Sequence, residues 1–198
     1  MVILVMASAA SLSAQKVKFR THVLNAQSQF SAGAVFDVNH DGKLDVFSGG
    51  FWYEAPHWKK HTVREVEMIG DRYDDYSNLP LDVNGDGWTD VISVNYRSQS
   101  LYWVEHPGKS LGVWKKHIID KPGASETGRL VDVDGDGQLD VLPNGMKYAA
   151  WYSWNVQRKV DGTNETHWQR HDLPQQIAGH GIGFGDVNGD GRSDLIGS

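Results

Sequence analysis

The sequence contains no cysteine, which excludes disulfides, thiol catalysis and cysteine-held metals but leaves the compartment open. No apolar run reaches the roughly 18 residues that a membrane-spanning helix needs. Lysine and arginine total 19 against 25 acidic residues and form no stripe, so nucleic acid is excluded as a partner. No segment keeps a helical period of apolar residues. There is also no long polar tract of the kind that keeps a chain disordered. What is there is one ordinary domain's worth of chain, 198 residues with 39% hydrophobic content. Its 22 glycines and eight tryptophans indicate a turn-rich, all-β protein.

The segment 1–14 is apolar and small, and Ser11-Leu12-Ser13-Ala14 has the character of a cleavage region. It is expected to be a signal peptide that has lost its basic start, the alternative being a buried strand or frayed terminus. Residues 15–198 then form the mature domain, secreted, periplasmic or at the cell surface.

An internal repeat decides the architecture. Asp37-Val-Asn39-His-Asp41-Gly42-Lys43-Leu-Asp45 returns as Asp82-Val-Asn84-Gly-Asp86-Gly87-Trp88-Thr-Asp90. It returns again as Asp132-Val-Asp134-Gly-Asp136-Gly137-Gln138-Leu-Asp140 and as Asp186-Val-Asn188-Gly-Asp190-Gly191-Arg192-Ser-Asp194. The first aspartates are 45, 50 and 54 residues apart. That spacing suits a four-stranded propeller blade. An aromatic segment follows each of the first three loops: Phe51–Glu54, Tyr102–Glu105 and Trp151–Ser153. Next comes a basic-His-apolar pattern around His61, His117 and His171, with a weaker copy at Phe19–Leu24 around His22. From this histidine to the next loop is 15 residues in three cases and 21 from His61 to Asp82, which puts a six-residue insertion within Glu67–Ser77.

Each unit therefore reads as four antiparallel strands: one into the loop, one out of it, the aromatic strand and the His strand. The expected fold is an incomplete β-propeller of about three and a half blades. In that reading residues 18–24 supply an isolated outer strand that helps to close the ring, and its partners lie beyond Ser198.

The loops place Asp or Asn at positions 1, 3, 5 and 9 and Gly at position 6. Such a set surrounds one point with hard oxygen ligands, as calcium prefers, and the glycine permits the sharp turn. The backbone carbonyl of position 7 (Lys43, Trp88, Gln138, Arg192) adds a further ligand. An EF-hand needs Glu at position 12 and flanking helices; here position 12 is Ser48, Ser93, Pro143 or Gly197 and the flanks read as strands. Up to four calcium ions are expected, one per loop, and they would change the formal charge from −6 to +2. The acidity thus reads as metal-binding capacity, since 13 of the 25 acidic residues sit in these loops.

The loops, with Gly183-Phe184-Gly185 leading into the last of them, resemble FG-GAP/VCBS repeats, the units of integrin-α-like and bacterial extracellular propellers. The resemblance covers about residues 18–198. It implies that the Asp-rich loops bind calcium and hold blades together. The Trp-Tyr-Glu and Trp-Lys-Lys-His elements are also similar to the propeller of aldos-2-ulose dehydratase and of some polysaccharide lyases, but no catalytic motif of those enzymes can be placed here.

The four histidines and the aromatic Trp52, Trp103 and Trp151 occupy repeated positions, so packing is their expected role. Function is sought where the repeat breaks: at Asp71–Tyr76, at Ser125–Arg129 and at Gly179–Gly181, with Arg97 beside them. Each stretch precedes an inner strand, so they are expected to meet on one face of the ring. The leading expectation is a binding or interaction module for carbohydrate or an extracellular protein, with Arg72, Tyr73, Arg97 and Glu126 as ligand-binding candidates. One alternative is a sugar-active lyase or dehydratase using Asp74, Asp75, Tyr76, Arg129 and His180. Another is a structural spacer.

Overall fold

The computed structural model describes residues 17–197; the expected signal segment 1–14 lies outside them. The first sheet comprises β1 (Ala34–Phe36), β2 (Asp45–Ser48), β3 (Phe51–Glu54) and β4 (Lys59–Thr62). A small hairpin follows, β5 (Met68–Ile69) and β6 (Arg72–Tyr73). The second sheet holds β7 (Ser77–Leu81), β8 (Asp90–Val94), β9 (Leu101–Glu105) and β10 (Lys115–Asp120). The third holds β11 (Ser125–Val131), β12 (Asp140–Gly145), β13 (Ala150–Arg158) and β14 (Asn164–Asp172). A fourth unit has two strands among the described residues, β15 (Ile182–Gly185) and β16 (Asp194–Gly197). Three four-stranded antiparallel sheets run in chain order and none closes into a barrel. Their first strands β1, β7 and β11 neighbour one another, as inner strands of successive blades do. Two single 3-10 turns, Gly108–Ser110 and Gln175–Ile177, are the helical elements among the described residues. No helix there is long and apolar enough to cross a membrane.

The core lies between blades rather than inside one sheet. Phe36, Val38, Phe47 and Trp52 of the first blade pack on Val91, Tyr102, Val104 and Trp114 of the second. Val83, Ile92 and Trp103 of the second meet Val141, Ala150 and Tyr152 of the third. Strand β8 is buried along its whole length, which its run Val91-Ile92-Ser93-Val94 allows because both of its faces meet neighbouring blades. The largest of these side chains, Trp52, Tyr152 and Phe47, are almost wholly removed from water. Burial of each contributes about 1.5–3 kcal/mol. Arg64, buried in the same interface, is fully engaged. Its Nε donates to the Gly49 carbonyl, Nη1 to the Tyr102 hydroxyl, and Nη2 to Asp75 and Asn78, all at 2.9–3.0 Å.

Three sequence expectations need correction. Residues 18–24 form no strand, and Phe19 and Val23 are exposed. No described strand pairs with that segment, and an extended segment without a partner makes no ladder. His22 accordingly does not join the repeated set of histidines. Ser125–Arg129 is not a loop before the inner strand but part of it, with a register shift between Ser125 and Gly128. The third aromatic segment is not a three-residue strand. It extends to Arg158 and pairs through nine residues with β14. The insertion falls where the spacing put it and folds as the β5–β6 hairpin, turning at Gly70 with φ of +71°.

Candidate metal centre and the inner-strand face

Each loop turns on its first aspartate. In loop 1 the two oxygens of Asp37 accept the N–H groups of Asp41 (3.1 Å) and Gly42 (2.8 Å). Asn39 Oδ1 accepts the same Asp41 N–H, and Asp41 Oδ1 accepts that of Lys43. Loops 2 and 4 repeat this through Asp82, Asn84 and Asp86 and through Asp186, Asn188 and Asp190. Loop 3 does so through Asp132, Asp134 and Asp136, with Gly135 supplying one donor. The turn requires a left-handed residue at position 6, where Gly42, Gly87, Gly137 and Gly191 have φ of +82° to +90°.

The ninth aspartates do a second job. Asp45, Asp90, Asp140 and Asp194 all accept the N–H of the valine at position 2, at 2.8–3.0 Å. The other oxygen of Asp45 takes the Ala55 N–H, and that of Asp90 takes the His106 N–H, both at 2.7 Å. All four therefore clamp the loop to the start of the second strand, and Asp45 and Asp90 clamp it also to the end of the third. Burial pushes the Asp90 carboxyl up to about 8, against the two backbone donors that favour its charge. Asp45 and Asp140 are raised for the same reason. Asp41 goes the other way, because exposed Lys43 binds its carboxylate at 2.8 Å.

Loop 1 departs from the others at position 4, where His40 replaces glycine and yet adopts φ of +60°. A left-handed non-glycine residue costs on the order of 1 kcal/mol. The imidazole lies flat on Trp88 of loop 2, centroids 4.1 Å apart and planes within 2°. Trp88 in turn stacks on His106 at 4.7 Å. Stacking of this kind contributes about 0.5–1.5 kcal/mol, enough to offset the backbone. Trp88, expected to act through its carbonyl, thus also joins two loops through its side chain.

The donor set fits a hard cation. Among the described residues one group of three acids has oxygens all within 4.8 Å of one another: Asp132, Asp134 and Asp136. Loops 1, 2 and 4 place an asparagine where Asp134 stands, giving two carboxylates and an amide oxygen in the same fold of backbone. All the side-chain donors are oxygen, which suits calcium and gives a soft metal no ligand.

Two groups of contacts form among the residues outside the repeat, and the Ser125 N–H donates to the Asn95 carbonyl between their segments. At the start of β15 the His180 ring contacts Glu126 across the blade interface, Nδ1 to Oε2 3.0 Å. Buried Asn144 underlies the pair. Its oxygen accepts the N–H groups of Glu126 and Thr127, freed by the β11 register shift, and its amide donates to the His180 carbonyl. Nothing in the sequence marked Asn144; its signal is an amide at the end of an otherwise apolar strand. The second group surrounds Arg97, which pairs with Asp71 at 3.0 Å. The Tyr76 hydroxyl beside it, then the Asp71 carboxylate, hold its guanidinium in the charged form. Tyr76 packs on Tyr96.

Three candidates lie outside both groups of side chains. Asp74 is buried and accepts the Arg97 and Ser98 N–H groups at 2.9 and 3.0 Å, which fixes the insertion. Asp75 is fully buried in the Arg64 network, and burial raises its carboxyl although Arg64 opposes this. Tyr73 points to the outside of blade 1. There it packs on Phe30 at 4.8 Å and lines a cleft of about 490 Å³ with Phe30, Phe51, Lys60 and Glu65. Arg72 and Arg129 are exposed. The repeated histidines pack as expected in three blades: His61 on Trp52, His117 on Trp103 and His171 on Trp151, stacked at 3.9–4.4 Å.

Comparison with known families matches residues 82–142 to the FG-GAP-like repeat. That stretch runs from the first aspartate of loop 2 through loop 3 to the second strand of the third blade. Comparison with curated proteins finds no match.

Proposed function

We propose that this chain is an exported interaction module whose blades are fastened by calcium and whose ligand is a carbohydrate. FG-GAP-like repeats build β-propeller-like modules that often serve as extracellular interaction domains and often bind calcium. The observation that carries the calcium reading is the Asp132–Asp134–Asp136 group, three carboxylates converging in a loop whose backbone pattern recurs four times. Without a cation such charges repel; with one they hold the inner hairpin of each blade in shape, next to a position-2 valine that is buried in blades 1 and 2.

The carbohydrate reading rests on the cleft beside blade 1. Phe30, Phe51 and Tyr73 offer aromatic faces, and Gln27, Lys60 and Glu65 offer hydrogen-bonding groups around them. Aromatic walls with a few polar groups suit a sugar ring, whose faces are apolar and whose edge carries hydroxyls. Arg72 is adjacent in sequence to this cleft, whereas Arg97 and Glu126 belong to the inner-strand face.

Two measurements test the reading. Calcium should raise the melting temperature of chelator-treated protein, by about 2.7 kcal/mol of stability per site at a hundredfold excess over Kd. A glycan array should give calcium-dependent binding that Tyr73→Ala abolishes. No thermal shift with calcium overturns the metal reading, and an array with no response overturns the carbohydrate one.

A further inference from the structure

Blades 1 and 2 differ from blade 3 at two positions that change together. Position 3 of the loop is Asn39 in blade 1 and Asn84 in blade 2, but Asp134 in blade 3. The residue two after the stacked tryptophan is Glu54 or Glu105 in the first two blades, but Ser153 in the third. Each blade therefore keeps one carboxylate at this pair of positions and moves it. It stands behind the loop in blades 1 and 2 and inside the loop in blade 3.

The side chains show what the exchange does. In blade 1, Glu54 Oε1 accepts from Asn39 Nδ2 at 3.4 Å, while Oε2 contacts His61 Nε2 at 2.7 Å. In blade 2, Glu105 takes Asn84 Nδ2 at 3.5 Å and His117 at 2.6 Å. A carboxamide is an oxygen on one side and a donor on the other, and only the oxygen can serve a cation. In blade 1 the NH₂ is drawn outward by Glu54 and Oδ1 faces the loop, where it accepts the Asp41 N–H; in blade 2 the NH₂ is shared between Glu105 and Asp86 Oδ2, the latter at 3.1 Å, while Oδ1 accepts the Asp86 N–H. A carboxylate at position 3 has two equivalent oxygens and needs no such control. A glutamate behind it would repel it. In blade 3 the Ser153 hydroxyl keeps the contact to His171, at 2.8 Å, without the charge.

We propose that Glu54 and Glu105 are positioning residues for the cation sites of loops 1 and 2, and that the paired exchange sets the ranking of the sites. Loop 3, with its acid inside, binds calcium more tightly than loops 1 and 2, by roughly tenfold for the additional carboxylate ligand. This inference rests on the proposed calcium reading. The glutamates touch no cation themselves; they act through the asparagine, with the Trp–His stack holding them from the other side.

The test is calorimetric titration of the full chain with calcium alone, for the wild type, Glu54→Ser, Asn39→Asp and the double variant. Glu54→Ser preserves a hydroxyl for His61, as blade 3 does for His171. It should weaken one site about tenfold while the melting temperature in chelator stays unchanged. Asn39→Asp alone sets two carboxylates against each other and should gain little; adding Glu54→Ser should bring that site to the affinity of loop 3. The mirror variant Asp134→Asn should weaken loop 3, and Ser153→Glu added to it should restore part of the loss. If calcium binds but Glu54→Ser leaves every affinity intact, or the double variant binds no tighter than Asn39→Asp, the positioning role is overturned and the calcium reading stands. If the wild type takes up no calcium, the calcium reading itself fails.

Discussion

Loops 2 and 4 begin with the same six residues, Asp-Val-Asn-Gly-Asp-Gly, and fold alike. The hydrogen bonds from positions 5 and 6 to the first aspartate, and from position 2 to the ninth, agree within 0.1 Å. Their surroundings differ. Val83 and Asp90 are fully buried, whereas Val187 is 66% exposed. Loop 2 is roofed by the long hairpin of blade 3, where Asn164 donates to the Asn84 carbonyl and Thr166 to that of Val83. The local sequence thus sets the shape of the loop, and the neighbouring blade sets what that shape contributes to stability.

The sharpest way to break this comparison is to delete the ninth aspartate in each. Asp90→Ala strands the buried N–H groups of Val83 and His106 and should cost about 3 kcal/mol in urea denaturation. Asp194→Ala leaves its partner near solvent and should cost under about 1 kcal/mol. Equal losses would show that the roof is irrelevant. Removing the roof is the next step: Thr166→Val with Asn164→Ala should cost about 1–2 kcal/mol together. It should also raise amide exchange in loop 2 toward that of loop 4, read by hydrogen–deuterium exchange. A smaller loss, about 1 kcal/mol, is expected for Trp88→Leu, which leaves His40 in its left-handed conformation with nothing to stack on. The tryptophan emission of the wild type should change when calcium is added, and the variant should lose that change. Smallest of all, Arg129→Ala on an exposed strand position should alter stability by less than about 0.5 kcal/mol.

Much of the fold was legible because its signals are local and repeated. The aspartate spacing, the glycine turns and the aromatic strands placed four units of antiparallel structure, and the six extra residues after His61 marked the insertion. Repetition also showed that His61, His117 and His171 belong to packing. What was not legible depends on partners distant in sequence. Residues 18–24 carry a strand pattern but pair with no described strand. Asp75 reads as a loop acid, and only the fold brings Arg64 to it. Glu126 and His180 were singled out separately, but the amide that holds them, Asn144, had no motif to announce it. The exchange of Asn-with-Glu for Asp-with-Ser lay open in the sequence. Its meaning required knowing that the two positions face each other.

The roof over loop 2 also has a consequence in time. Its two contacts join residues 80 and 83 positions apart, so the second blade is finished only after the third blade's outer hairpin exists. A ribosome extending the chain at about 5–20 residues per second leaves that loop uncovered for roughly 4–16 s. During that interval the hydrophobic face around Val83 has no cover, and a cation held early in loop 2 would keep the nascent hairpin in shape until its neighbour arrives.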